Sequence, residues 1–327
     1  MSDIELPVIN LGPYFAGSPG AAEALASEVD AACSAIGFLV LDNHGISREL
    51  IERVFASART FFERPLAQKR QFCSPDPVIP RGYQNFGERS LAKTLGQEAP
   101  PDLREQYFMG PLNPDLQRIA HLHNATPFYS ANIWPDFPTS YRETLSEFYC
   151  ELEALGKHLM RIFALALRME ANFFADKIDN HFSTGTVNNY PAVATSLPGQ
   201  LRTGAHTDFG SLTILAVDDA PGALQVRRDE DTWIDIKPAP DQLIINLGDM
   251  MARWTNDRWR STVHRVANPP ADSATHSHRM SAGYFLHPNF DAEIRCLPTC
   301  VDAGMQPRFA PILAGEHMRE KLRRRVV

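Results

Sequence analysis

Two histidines and an aspartate constrain the fold of this chain more than any other feature. His206 and Asp208 are two residues apart, and His264 follows in the run Ser-Thr-Val-His-Arg-Val. In an extended strand, side chains two residues apart point to the same face, so His206 and Asp208 can bind one ion while Thr207 points away. His264 must then come from a different strand. The fold must therefore bring distant strands around a shared interior.

The segments between these residues are typical of short strands. Three apolar runs, Leu212 to Val217, Trp233 to Ile236 and Leu243 to Leu247, are separated by Gly222 and by the run Pro238 to Pro240. Many short strands divided by Gly, Pro and Asp indicate a sandwich or a jelly roll. A jelly roll has an interior that can hold a buried metal.

The chemistry of these side chains indicates a metal centre beside an anion receptor. Two imidazoles and one carboxylate on one face of a metal leave positions open, as a non-haem Fe(II) oxygenase requires. Arg279 begins an alternating run in which Ser281 shares its face. The fixed fork of a guanidinium, together with a hydroxyl, suits a carboxylate. The pattern predicts a dicarboxylate co-substrate that also chelates iron, 2-oxoglutarate.

Further runs, in their order along the chain, resemble the isopenicillin N synthase-like branch of the Fe(II)/2-oxoglutarate-dependent dioxygenases. They cover 6–11, 37–46, 188–191, 206–213, 248–250, 255–256 and 261–266. Any one of these runs is a weak signal. The ordered set extends nearly from end to end of the chain and is strong.

The resemblance implies a mainly β fold with flanking α-helices around a double-stranded β-helix (jelly roll) core. It also implies that His206, Asp208 and His264 are the iron ligands and the catalytic centre. The residues around the distal carboxylate of 2-oxoglutarate would be Arg279, Ser281 and Tyr190, with Asn188 near the same pocket. The fold that is implied agrees with the strand pattern read from the residues.

The implied reaction couples the oxidative decarboxylation of 2-oxoglutarate, to succinate and CO2, with hydroxylation or a related C–H oxidation of a small molecule by dioxygen (O2). An oxidase of the isopenicillin N synthase type, which does not use 2-oxoglutarate, has the same triad and remains an alternative. Desaturation, ring closure and ethylene formation from 2-oxoglutarate are further outcomes. A non-catalytic ligand-binding jelly-roll protein is a rival of another class, against which an intact triad argues.

Two irregular segments that carry arginines are expected to select the substrate, because specificity usually lies in loops on a rigid scaffold. They are the runs Pro80 to Tyr83 and Pro100 to Glu105, and the second contains Arg104. By the resemblance, Arg81 and Tyr83 are expected to reach the mouth of the site. An arginine there would favour an anionic substrate.

Apolar residues at regular spacing predict the scaffold around this site. A stripe from Leu50 to Phe62 behind the N-cap residue Ser47 predicts one helix, and a longer stripe from Leu145 to Phe163 predicts another. Both helices are expected to cover the sheet. Phe285 continues the strand that carries the anion receptor, where it forms either an apolar wall near the substrate or, as the simpler account, part of the core.

The composition is that of one ordinary globular unit. The chain has 327 residues, of which 44% are hydrophobic and 22% are charged, so it is long enough for a large core. No low-complexity linker divides it. We predict four parts: an N-terminal helix and strand region at 1–120, a connecting segment with a long scaffold helix at 121–175, the jelly-roll core at 176–290, and a C-terminal segment with a helix at 291–327.

Charge and hydropathy limit the partners to a small-molecule substrate. A net charge of −7 argues against nucleic acid, and the basic stretch Arg319 to Arg325 is typical of a solvated helix end. No run approaches the ~20 apolar residues of a membrane span, and the N-terminus lacks a leader pattern.

Five cysteines without a Cys-x-x-Cys pair indicate reduced thiols. We expect a cytoplasmic protein, with its substrate identity and oligomeric state left open.

Overall fold

The computed structural model describes residues 6–76, 79–192, 195–221, 224–230, 232–270, 272, 277–301 and 303–325. The strands are β1 (Val8–Asn10), β2 (Phe38–Asp42), β3 (Gly82–Gln84), β4 (Glu105–Met109), β5 (Thr184–Tyr190), β6 (Thr203–His206), β7 (Leu212–Val217), β8 (Leu224–Arg227), β9 (Trp233–Ile236), β10 (Leu243–Leu247), β11 (His264–Val266), β12 (Arg279–Leu286), β13 (Glu293–Ile294) and β14 (Ile312–Leu313). The α-helices are α1 (Gly12–Phe15), α2 (Ala21–Ala35), α3 (Arg48–Phe62), α4 (Leu66–Lys69), α5 (Leu116–Ile119), α6 (Tyr141–Ala166), α7 (Asp249–Trp254) and α8 (Ala314–Arg325).

Two sheets form the core of the fold. The major sheet has the order β1-β2-β10-β7-β12-β5-β4-β3, and the minor sheet has the order β6-β11-β8-β9. Within these two sheets β1 and β2 are parallel and the other pairs are antiparallel. From β5 to β12 the chain passes repeatedly between the sheets, which confirms the predicted jelly roll.

The predicted strands of the core are confirmed. The runs 212–217, 233–236 and 243–247 form β7, β9 and β10 with the predicted bounds. The alternating run that starts at Arg279 forms β12, which continues to Leu286. Gly222, one of the residues expected to separate strands, lies outside the described residues.

The major sheet is buried on both faces, and its strands divide their side chains between two cores. On β2, Phe38 and Val40 face the minor sheet, where Ile244 of β10 joins them. Leu39 and Leu41 face the opposite way, into the larger core under the helices. Because alternate residues of a strand point to opposite faces, a near-continuous apolar run fills both layers.

The helices cover the outer face of the major sheet, as the apolar stripes predicted. The side chain of Ser47 accepts a hydrogen bond from the backbone N–H of Leu50 at 3.2 Å and so caps α3. Helix α6 has 26 residues and packs against α2, α3 and β12. Among the described residues, none of the helices combines the length and apolar character needed to cross a membrane.

The major sheet combines strands from separate parts of the chain. β1 and β2 extend it beyond β10, while β3 and β4 extend it beyond β5. The N-terminal region and the core therefore share one sheet and its hydrogen bonds. The boundaries proposed at residues 120, 175 and 290 stay a prediction.

Candidate metal centre

The three predicted ligands meet where β6 and β11 pair. His264 stands opposite His206 in the antiparallel register, and Nε2 of each ring lies 3.7 Å from Oδ1 of Asp208. One ligand atom from each residue lies within 4.8 Å of the others, and all three residues are buried. Strand β6 ends at His206, so Asp208 lies in the following turn, not in a continuing strand as the spacing predicted.

Each imidazole is oriented by its other ring nitrogen. Nδ1 of His206 lies 2.9 Å from the carbonyl of Gly204, and Nδ1 of His264 lies 3.0 Å from the carbonyl of Thr262. A carbonyl only accepts hydrogen bonds, so Nδ1 is the protonated nitrogen in both rings. Nε2 of each ring then carries the lone pair that can bind a metal.

The carboxylate of Asp208 divides its two oxygens between different tasks. Oδ2 accepts hydrogen bonds from Oγ1 of Thr213 at 2.5 Å and from Nδ2 of Asn246 at 2.7 Å. These two donors are register partners on β7 and β10. Oδ1 faces the imidazoles. Two neutral nitrogens and one anionic oxygen form a donor set that fits a divalent iron with open positions.

Two glycines allow the turn of Asp208 to pack closely. A Cβ on Gly210 would lie 2.4 Å from Nδ1 of His287, and a Cβ on Gly248 would lie 2.3 Å from the carbonyl oxygen of Gly210. Real contacts of this kind are longer, so a side chain at either position would displace the turn. The backbone N–H of Asp249 donates to the carbonyl of Asp208 at 2.8 Å. This bond holds Asp208 in the turn that follows β6.

Asp249 connects the turn to the C-terminal helix. Its Oδ1 accepts a hydrogen bond from Oγ of Ser261 at 2.7 Å, and its Oδ2 accepts one from Oγ1 of Thr207 at 3.3 Å. Nζ of Lys321, on α8, lies 2.5 Å from the same Oδ2. Asp249 thus holds α8 beside the residues that flank the triad.

A cavity of about 470 Å³, here called the inner cavity, lies between the two sheets beside the triad. Arg279, Ser281, Tyr190 and Asn188 all line it, as expected for a carboxylate pocket. In the register of β12 and β5, Arg279 is opposite Tyr190 and Ser281 is opposite Asn188. Nδ2 of Asn188 donates to Oγ of Ser281 at 3.0 Å. The two strands therefore bring the four predicted residues together.

The inner cavity has the electrostatics of an anion site. Nη1 of Arg279 is buried and lacks a hydrogen-bond partner within the described chain, which is costly for a charged donor. The guanidinium carbon lies 5.0 Å from the centre of the Tyr190 ring. Burial raises the pKa of Tyr190, but the positive charges of Arg104 and Arg279 outweigh it, and the net pKa is lowered. An anion in the cavity would satisfy this charge.

A second cavity of about 710 Å³, here called the outer cavity, is lined by His206 and Asp208 of the triad. Both cavities are lined by Arg104, His206, Asp208 and Phe285. The rest of the outer wall is mainly apolar and includes Phe108, Phe128, Phe182, Phe209, Met318 and Leu322. Two molecules can therefore approach the triad from separate spaces.

The structure does not bring Arg81 to the outer cavity, although the sequence predicted it at the mouth of the site. Its guanidinium donates to the backbone carbonyls of Phe128 at 2.6 Å, Pro80 at 2.8 Å and Ser130 at 3.3 Å. Burial lowers the pKa of Arg81 to about 10. The side chain joins three loop carbonyls and lines neither cavity.

Tyr83 also lies away from both cavities, whereas Arg104 and Phe285 line them. The hydroxyl of Tyr83 donates to Glu105, whose carboxylate also pairs with Nζ of Lys69 at 2.7 Å. These groups point to the helix side of β4. Successive side chains of a strand point to opposite faces, so Arg104 faces the cavities while Glu105 faces away from them. Tyr83 lies away from the cavities with Glu105, to which it donates.

Several site residues were not predicted, although the sequence contains a signal for each. Nε2 of Gln106, which lines the outer cavity, donates to Oδ1 of Asn188 at 2.6 Å. Gln106 lies two residues after Arg104, and His287 lies two residues after Phe285, so both continue an inward-facing alternation. Asn246 is a polar residue inside an apolar strand, a position that usually needs a partner.

Comparisons with known proteins agree with this site. A sequence model of the 2OG-Fe(II) oxygenase superfamily matches residues 182–288. A second model, described as the N-terminal part of a non-haem dioxygenase in morphine synthesis, matches residues 6–137. The matches include the triad, the inner cavity and the strands that precede them.

Individual relatives extend over almost the whole chain. The 2-oxoglutarate-Fe(II) type oxidoreductase hxnY of Emericella nidulans is 32% identical over 96% of this chain and 88% of its own. Validamycin A dioxygenase of Streptomyces hygroscopicus is 31% identical over 91% and 81%. A full-length Neurospora crassa protein, solved in complex with alpha-KG, has a TM-score of 0.84 at 29% identity and covers 97% and 95%.

These similarities confirm the predicted enzyme class, an oxidoreductase that depends on Fe(II), 2-oxoglutarate and O2 and acts on a small molecule. The order of the sequence runs that resemble this family and the jelly-roll core fit the isopenicillin N synthase-like branch. The chain belongs to the 2-oxoglutarate–Fe(II) oxygenase superfamily.

Proposed function

We propose that the inner cavity binds 2-oxoglutarate and that the outer cavity binds the molecule to be oxidised. In this assignment His206, Asp208 and His264 hold Fe(II) between the two cavities. The distal carboxylate of 2-oxoglutarate is bound by Arg279, Ser281 and Tyr190, with Asn188 supporting Ser281. The observation that carries the assignment is the buried, unpartnered Nη1 of Arg279, which needs an anion.

The hydrogen bonds around the inner cavity are arranged for a carboxylate. Oγ of Ser281 accepts from Asn188, so its own hydrogen is free to donate to a ligand. Arg279 supplies a charge-assisted donor beside it. A ligand held here by one carboxylate reaches the triad with its other end only if it is short and has a second metal-binding group. The dicarboxylate 2-oxoglutarate has both properties.

Bound Fe(II) and 2-oxoglutarate supply the oxidising chemistry that activates O2. The chain determines where that chemistry takes place, because it holds the ligand side chains in fixed orientations. The Nδ1–H groups of the two histidines fix their rings against backbone carbonyls, and Thr213 and Asn246 fix the carboxylate. The phenylalanines of the outer cavity would exclude water from a metal held by the triad. The geometry supports hydroxylation or a related C–H oxidation of the molecule that they enclose.

The isopenicillin N synthase-type oxidase is the second candidate. In that case the pair Arg279 and Ser281 would bind a substrate carboxylate, and one molecule would fill the space around the metal. Two cavities that share His206 and Asp208 of the triad favour a co-substrate and a substrate instead. Desaturation, cyclisation and ethylene formation differ from hydroxylation in the position of the substrate, which the protein alone does not determine.

The test is 2-oxoglutarate binding and turnover after anaerobic reconstitution with Fe(II). Wild type is expected to bind 2-oxoglutarate and, after oxygen is added, to form succinate and CO2. His206→Ala should lower turnover at least about 100-fold, because losing a ligand exceeds the cost of losing an outer partner. Arg279→Ala should keep iron but weaken 2-oxoglutarate binding about 30-fold or more.

The matched control is Arg118→Ala, which removes an exposed arginine that pairs with Asp179 far from the triad. This variant should behave as wild type. A wild type that binds iron but not 2-oxoglutarate, or an Arg279→Ala variant with unchanged affinity, would support the oxidase.

We also propose that the enzyme acts in the cytoplasm and on a small molecule alone. The five cysteines are free thiols, which suits a reducing compartment. The net charge of −7 opposes binding to nucleic acid. Fractionation of cells followed by immunodetection would test the compartment.

A further inference from the structure

The outer cavity carries one cation that the triad does not explain. Among the described residues that line it, Arg104 is the single arginine or lysine, and the single carboxylate, Asp208, belongs to the triad. Burial lowers the pKa of the remaining lining group His287 to about 3, so this ring is uncharged near neutral pH. A ligand in the outer cavity therefore meets a positive charge and no free carboxylate.

The Arg104 guanidinium has donors left over. Its side chain is nine-tenths buried, and its Nη2 lies 3.2 Å from Oδ2 of Asp102. That carboxylate also accepts the backbone N–H groups of Gly204 at 2.9 Å and Leu91 at 3.3 Å. Within the described chain no other group pairs with the Arg104 side chain. Burial and the charge of Arg104 lower the pKa of Arg89, although the nearby Glu88 raises it.

Arg104 lines both cavities, but it comes from a different strand end than Arg279, the cation of the receptor proposed for 2-oxoglutarate. It directly precedes β4, which pairs with β5, and β5 in turn pairs with β12. The ring of Tyr190 on β5 thus stands between Arg104 and Arg279. Two strand spacings amount to about 10 Å. The inner cavity has a second cation, Arg279, with an unpartnered donor, whereas Arg104 is the single cation among the described residues that line the outer cavity.

The apolar wall of the outer cavity is made of flat rings. Phe182 stacks on His287 with ring centres 5.2 Å apart and an angle of 28° between the planes. Phe128 meets the edge of Phe182, with ring centres 5.5 Å apart. Phe108 and Phe285 complete this side of the cavity. Offset and edge-to-face contacts of this kind favour a planar ring as the occupant.

We infer that the outer cavity binds a small aromatic molecule with one anionic group, whose ring packs among the phenylalanines while Arg104 binds the anion. The inference rests on the proposed function, since it takes the outer cavity as the substrate site. It excludes amines and other cations as substrates, because their charge would face Arg104 without a compensating carboxylate.

The test uses the full chain with Fe(II) and 2-oxoglutarate under argon, and three probes of similar size. Phenylacetate, phenethylamine and cyclohexylacetate are titrated separately, and binding is measured by ligand-observed NMR. Phenylacetate should bind at least tenfold more tightly than phenethylamine and several-fold more tightly than cyclohexylacetate. Equal affinities for the acid and the amine, or no binding of the acid, would overturn the inference.

Two variants connect the preference to Arg104. Arg104→Gln should remove the preference for the acid, and Arg104→Lys should retain most of it because the charge is kept. Because Arg104 also lines the inner cavity, the affinity for 2-oxoglutarate is measured on the same samples, and it should fall less than the affinity for phenylacetate in both variants. A loss of 2-oxoglutarate affinity in Arg104→Gln that equals or exceeds the loss of phenylacetate affinity would assign the Arg104 charge to the ligand of the inner cavity and overturn the inference.

The same samples separate this inference from the proposed function. If wild type does not bind 2-oxoglutarate, the proposed function fails. If it binds 2-oxoglutarate but shows no preference for an aromatic acid, the inference alone fails. A thermal unfolding scan of each variant confirms that the comparison is made on folded protein.

Discussion

The two cavities that meet at the triad are built from different parts of the fold. Every residue that lines the inner cavity lies in a strand, except Arg104 and Asp208. Much of the outer cavity is formed instead by loops, by the 3-10 turns Leu91–Leu95 and Thr126–Tyr129, and by helix α8. Hydrogen bonds between strands fix the first set of side chains. Loops and a terminal helix can change without disturbing them.

This difference separates a constant task from a variable one. The inner cavity must hold one co-substrate against one metal, which requires fixed positions. The outer cavity determines which molecule is oxidised, and relatives with the same core can differ there.

A series of hydrogen-bonded side chains joins the two cavities. Gln106 lines the outer cavity and donates to Asn188, which lines the inner cavity and donates to Ser281. The three residues lie on neighbouring strands β4, β5 and β12. Gln106 thus holds the amide orientation that Ser281 needs.

The largest effect is expected when the strand-built support of the metal is removed. Asn246→Leu leaves Oδ2 of Asp208 with one donor in place of two. Losing such an outer partner typically lowers metal affinity about 10- to 100-fold. Equilibrium dialysis of Fe(II) under argon measures this change.

A variant in the wall of the outer cavity is the control for that experiment. Leu322→Ala shortens an apolar side chain of α8 that lines the outer cavity. A leucine forms no hydrogen bond with the carboxylate of Asp208. Its iron affinity should change less than twofold. Similar losses in both variants would show that the two cavities are not independent.

An intermediate effect is expected at the link between the cavities. Gln106→Leu removes the donor to Oδ1 of Asn188 and leaves that buried oxygen unsatisfied. Such losses cost about 1 to 3 kcal/mol. Because part of this cost falls on stability, we expect a three- to tenfold weaker affinity for 2-oxoglutarate, measured by anaerobic titration.

The same change at an exposed position is the control for this link. Gln97→Leu alters a solvent-exposed glutamine and should leave the affinity for 2-oxoglutarate unchanged. If Gln106→Leu also leaves the affinity for 2-oxoglutarate unchanged, the hydrogen bonds that join Gln106, Asn188 and Ser281 have no functional role.

The smallest effect is expected behind the outer cavity, where α6 supports the residue next to Phe182. Oε2 of Glu153 lies 3.4 Å from Nε2 of His181. The hydrogen bond from His181, with help from Lys157, lowers the pKa of Glu153 from 4.5 to about 2. The carboxylate therefore stabilises the fold fully above pH 4.5, and this contribution is lost as the pH falls towards 2.

Glu153→Gln should lower the free energy of unfolding at pH 7 by about 1 kcal/mol, since partial exposure weakens the pair. Urea unfolding at pH 7 and at lower pH measures it, and the two proteins should converge as the pH approaches 2. Glu293→Gln, in an exposed pair with Arg295, should show no measurable change. A difference for Glu153→Gln that persists at low pH would contradict the assigned cause.

The strand-borne half of the site could be predicted from sequence because a strand has a fixed two-residue period. That period placed Arg279 and Ser281 on one face, and Phe285 on the same face further along. The same rule, applied to the run that starts at Arg104, would have added Gln106. Periodicity does not report which strands are neighbours, so the pairing of β6 with β11 needed the structure.

The remaining site residues depend on turns and loops, where local rules are weaker. Asp208 faces the histidines from a turn held by backbone bonds to Asp249, which residue spacing does not reveal. Arg81 was expected near the substrate because it lies in an irregular segment. Its donors are used by three loop carbonyls, and only the folded positions of those loops show it.

The triad also has a mechanical consequence for the fold. Its two histidines belong to the minor sheet, while its carboxylate is hydrogen-bonded to β7 and β10 of the major sheet. An ion bound by all three residues would be a non-covalent crosslink between the two layers of the jelly roll. Iron would then raise resistance to proteolysis as well as enable turnover, and iron supply would influence how much of the protein persists in a cell.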